Sequence, residues 1–202
     1  MSATGYWILG SVPSATIERL SADFPVQRDE PEDLSWWRAM DEAAIAESES
    51  SGYNQYCPTG DAVRFGEMLE ARRTHLDAAA CIEALADRAD EDRFVAAIRK
   101  GDPVAALYYG LGFEASRALP GRSGCFLLTA EQVSAMAPTV EAILTMDAHR
   151  RSQVVARIRA WLEVAGDVGG DFDADELIDG PLRILRRARE HRLGALGVME
   201  WF

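Results

Sequence analysis

The sequence predicts an α+β fold: one mostly helical domain over residues 1–202, built around a small sheet that includes N-terminal, central and C-terminal strands. Three observations predict it. Short apolar runs stand near both chain ends, at Tyr6–Val12 and Ala195–Trp201, and read as strands. Most segments between them repeat apolar residues at helical spacing. Midway, Gly124–Leu128 reads as a short buried strand running into Thr129 and Gln132. That S/T-x-x-E/Q spacing lets each side chain satisfy one unpaired backbone amide at a helix start. This strand-into-helix joint is the expected centre of the fold. A chain of 202 residues buries about 70% of its unfolded surface, enough for a core without metal or disulfide support.

In order, Pro13 ends the first strand and a short helix follows from Thr16 to Ala22, closed by Phe24-Pro25. Residues 26–35 are acidic and polar, a loop; Trp36-Trp37 opens a helix through Ile45. Glu47–Gly60 is rich in turn formers and is the longest expected loop. Asp61–Arg73 is helical, and Thr74 with Asp77 starts a second helix carrying the stripe Ala78, Cys81, Ile82, Leu85 and Ala89. A third helix is expected through Phe94, Val95 and Ile98 to Gly101. Asp102-Pro103 then supplies a cap and a proline at the first helical position, with Val104, Leu107, Tyr108 and Leu111 as the buried face. Pro138 should kink or divide the helix begun at Thr129. A long helix spans Asp147 to Ala165 with Val155, Ile158, Leu162 and Ala165 inward, and Gly166 stops it. After an acidic turn, Pro181 starts a last helix to Arg192.

The net charge of -12 is the compositional outlier. It argues against general nucleic-acid binding, which needs Lys and Arg to neutralise phosphates, and against anionic membrane surfaces. It fits a basic protein partner, or simply solubility. Cys57, Cys81 and Cys125 are odd in number and widely spaced, so neither a disulfide framework nor a zinc site is indicated; Cys81 and Cys125 read as small buried hydrophobes. No basic region followed by an apolar run opens the chain and no run of 18 apolar residues occurs, so a cytoplasmic protein is expected.

Motifs for chemistry are incomplete. Gly110, Gly112 and Ala115 match G-x-G-x-x-A, yet a helix is expected before them and Pro120-Gly121 cuts short any helix after them, so the glycines read as a helix end. Asp171, Asp173 and Asp175 resemble the opening of a calcium loop, but Glu176 replaces the turn glycine and Leu182 the bidentate acid. His75, His149 and His191 lack metal spacing. No catalytic residue, cofactor or metal is predicted. Two candidate surfaces remain. Trp36, Trp37, Tyr53 and Tyr56, rimmed by acids such as Asp33 and Glu42, form a candidate partner interface of apolar anchors in a negative rim. Arg183, Arg186 and Arg187 on the last helix form a candidate anion site; the structural alternative is pairing with nearby acids and the helix C-terminus.

The Gly5-Tyr6 strand opening, the Phe126–Val133 joint and the Leu182–Val198 ending together resemble the YfbM-like family of uncharacterised bacterial proteins. The resemblance implies this element order and brings no chemistry. The expected function is an acidic protein-binding module, such as an inhibitor or immunity-type protein for a basic partner. The alternative is a small-molecule (anionic ligand) binding protein or enzyme using the arginine-rich last helix.

Overall fold

The computed structural model of the chain describes residues 3–23, 35, 39, 42, 61–71, 73, 76–121, 124–165 and 172–202. Strand β1 (Thr4–Val12) leads into α1 (Ser14–Asp23); α2 (Asp61–Ala71) and α3 (Ala78–Ala86) precede a 3-10 turn at Asp90–Asp92 and β2 (Arg93–Arg99). Helices α4 (Pro103–Leu111) and α5 (Phe113–Ser116) lead to β3 (Phe126–Leu128), then α6 (Ala130–Leu144), α7 (Ala148–Ala165), α8 (Glu176–Glu190) and β4 (Gly194–Trp201). The sheet is antiparallel throughout, in the order β2-β1-β4-β3. The mostly helical α+β fold expected from the sequence is therefore the one observed.

Alternation along the strands divides the core. One face presents Trp7, Leu9, Phe94, Ile98, Phe126 and Met199 to α4, α6 and α8. The other presents Val12, Leu127, Leu196 and Val198 to Ile17 and Leu20 of α1 and Cys81 and Leu85 of α3. Helix α7 packs as an outer layer on α4 and α2. Caught between two layers, α4 has all nine residues buried. Gly110 lets that contact close, because a Cβ there would strike the Ile158 side chain of α7.

Of the caps at Thr129, Asp102 and Asp77, two fall where side-chain chemistry placed them. Thr129 Oγ1 accepts from the Gln132 amide at 3.3 Å while Gln132 Oε1 accepts from the Thr129 amide at 2.8 Å. Asp102 caps α4, whereas Asp77, expected inside a helix begun at Thr74, is itself the cap of α3 through the Ala80 amide, so that helix starts at Ala78.

Five further expectations need correction. Residues 93–99 form β2, not a third helix: Phe94, Ala96 and Ile98 are buried and their alternates are not. The three-residue β3 is an edge of the sheet rather than the centre of the fold, a place held by β1 and β4. Pro138 lies inside an undivided α6. Pro181 does not start the last helix, which begins at Glu176 and carries the proline internally. That helix also ends at Glu190, and Arg192 follows it at φ 56°. The expected helix at 36–45, the loop at 47–60, Thr74 and the stop at Gly166 lie outside the described residues.

Candidate functional site

Helix α8 carries the candidate anion-binding arginines, and each faces a carboxylate of the same chain. Arg183 reaches Glu176 at 3.4 Å. Arg186 Nε donates to Glu141 Oε1 at 2.7 Å and its Nη2 to Thr145 Oγ1 at 3.2 Å. Arg187 donates through Nη2 to Glu91 at 2.6 Å and through Nε to Asp92. Arg189 joins Arg186 on Glu141 at 2.9 Å. The helical spacing that puts Arg186 and Arg187 side by side in sequence sends them to different neighbours: one clamps α6 and the other the turn before β2. The partners therefore come mainly from distant elements rather than from the acidic turn before α8. That turn is held by Arg151, which bonds Asp175 at 2.6 Å and both oxygens of Asp179.

The electrostatics follow from these contacts. Burial pushes the Asp92 carboxyl up, but hydrogen bonds from Arg187 and Ser11 and the charges of Arg187 and Arg88 outweigh it and hold its pKa below the ordinary value. Hydrogen bonds from Arg186 and Arg189 lower that of Glu141. A depressed carboxyl contributes stability above its unfolded pKa and loses it as pH falls through the folded one. The thermal midpoint is therefore expected to drop as pH falls below about 4. Arg187→Met should flatten the part of this dependence that belongs to Asp92, as a melting series across pH will show.

Of the candidate partner interface, Glu42 is exposed. Asp33, Trp36, Trp37, Tyr53 and Tyr56 lie outside the described residues, as do Cys57 and His75. Gly110 and Gly112 sit at the end of α4, with Gly112 at φ 83° as its cap and only a four-residue helix after it. A pyrophosphate would meet neither the strand nor the long helix that the dinucleotide motif requires. Asp173 accepts from the Asp175 amide at 2.9 Å; among the described residues no group of three or more His, Cys, Asp or Glu is placed to hold a metal ion.

One convergence of ionisable groups was not expected. Asp102 Oδ2 accepts from Arg73 Nη2 at 2.6 Å, and Arg73 also reaches Glu70 at 2.7 Å. Tyr108 and Cys125 feel the charges of this group. The chemistry is structural. Burial pushes the Cys125 thiol up to about 11, so it stays protonated and a poor nucleophile. Burial likewise raises the Tyr108 pKa, and its hydroxyl is committed to the Gly121 carbonyl at 3.0 Å. The Asp102 cap was legible in sequence, whereas Arg73 arrives from 29 residues away.

An apolar crevice of about 20 Å³ lies among Trp7, Leu9, Phe126, Val140, Leu144 and Leu185. That is space for roughly one water rather than an organic ligand. No helix among the described residues is long and apolar enough to cross a membrane. No family model, curated protein or solved structure matches the chain.

Proposed function

We propose that the protein is an acidic protein-binding module that captures a basic protein partner, as an inhibitor or immunity-type protein does. The observation that carries this reading is the commitment of the arginines on α8 to carboxylates of their own chain. With these arginines of α8 paired inside the chain, exposed acids such as Glu18, Glu67, Glu83, Asp87, Glu131 and Glu163 present part of the net charge of -12 to solvent. A negative surface of this kind steers a positively charged partner toward it. The assigned anchors are Trp36, Trp37, Tyr53 and Tyr56 with Asp33 and Glu42 at the rim, since bulky rings supply most of the energy in interfaces of this type.

The test is affinity capture from the host with the tagged chain. A stoichiometric basic partner is expected, bound at about 0.1 M salt and released toward 1 M as screening shortens the reach of the charges. A Trp36→Ala, Tyr53→Ala, Tyr56→Ala protein should lose that partner while its thermal midpoint holds. Absence of such a partner, or loss of binding only together with folding, overturns the reading. The competing function is an anionic-ligand site on α8, where a ligand has to displace Glu141 and Asp92 from Arg186 and Arg187. A rise in thermal midpoint with phosphate, abolished by Arg186→Ala with Arg187→Ala, would put that function in its place.

A further inference from the structure

We draw no further inference here: the strongest candidate, the exposed apolar patch of Val95, Ala97 and Phe202 on the sheet face shared with α1 and α3, carries nothing because nothing in the structure shows what covers it.

Discussion

Asp102→Ala is expected to cost about 3–5 kcal/mol of folding stability, the range for breaking one side of a buried ion pair. The carboxylate is 4% exposed and serves two structures at once. Its Oδ1 accepts from the amides of Val104 at 2.8 Å and Ala105 at 3.1 Å, fixing the start of α4. Its Oδ2 holds Arg73, whose side chain is 7% exposed. Alanine removes the cap, worth about 1 kcal/mol, and strips the buried guanidinium of its better-shielded partner. Glu70 remains on Arg73 at 2.7 Å but is itself 49% exposed, so it compensates only in part. Asp102→Asn keeps an acceptor for the two amides and should lose less than alanine by about that cap increment. Pairing Asp102→Asn with Arg73→Met removes both charges and should recover stability relative to Asp102→Asn alone, since apolar replacements of buried ion pairs are often neutral or better. Urea unfolding of the four proteins measures each step. Equal losses for alanine and asparagine would show that the cap contributes nothing, and a loss under about 1 kcal/mol would show the pair behaving like a solvated one.

What could be read in the sequence was whatever neighbouring residues decide among themselves. The Thr129–Gln132 box and the Asp102-Pro103 start are contacts over three residues or fewer, and both were legible. The stripe through Cys81 and Leu85 was legible because one helix face decides it, although Ala89, expected to continue it, falls past the helix end at Ala86 and is exposed. Strand β2 was not. Its alanines and the spacing of Phe94, Val95 and Ile98 favour a helix locally, and the pairing that overrides them comes from β1, more than 80 residues earlier. Helix α8 fails in the same way. Gly180-Pro181 reads as a boundary, yet the helix runs through it, and the glycine answers to a tertiary contact instead: the Phe94 ring occupies the place of a Gly180 side chain. The arginine surface was legible as a list of cations and not as a site. Whether Arg186 and Arg187 are available depends on Glu141, 45 residues from Arg186, and Asp92, 95 residues from Arg187. Sequence spacing carries no record of those neighbours.

Trp7→Ala should be as damaging as the loss of Asp102, at about 3–5 kcal/mol, for a different reason. The indole is 3% exposed in a central strand. Its ring meets Phe94 of β2 edge-on, with centroids 5.8 Å apart and planes at 88°. Its Nε1 donates to the Gly124 carbonyl at 3.1 Å. That bond pins the turn entering β3, where Gly124 holds φ 76° and where a Cβ would run into the indole itself. One side chain thus ties the two edge strands together across the inner face of the sheet. Trp7→Phe separates the contributions, because it keeps an aromatic ring against Phe94 and leaves the Gly124 carbonyl without its donor. It should cost about 1–3 kcal/mol, the range for a buried polar group left unpaired. Hydrogen exchange locates the loss: with phenylalanine, protection should fall in residues 124–128 and persist in Phe94, Ala96 and Ile98. Loss of protection spread equally over both edges would mean that ring volume, and not the indole hydrogen bond, is what orders β3. If β3 keeps its protection, the turn at Gly124 is held without Trp7, and the coupling between the two edges runs through the backbone ladders alone.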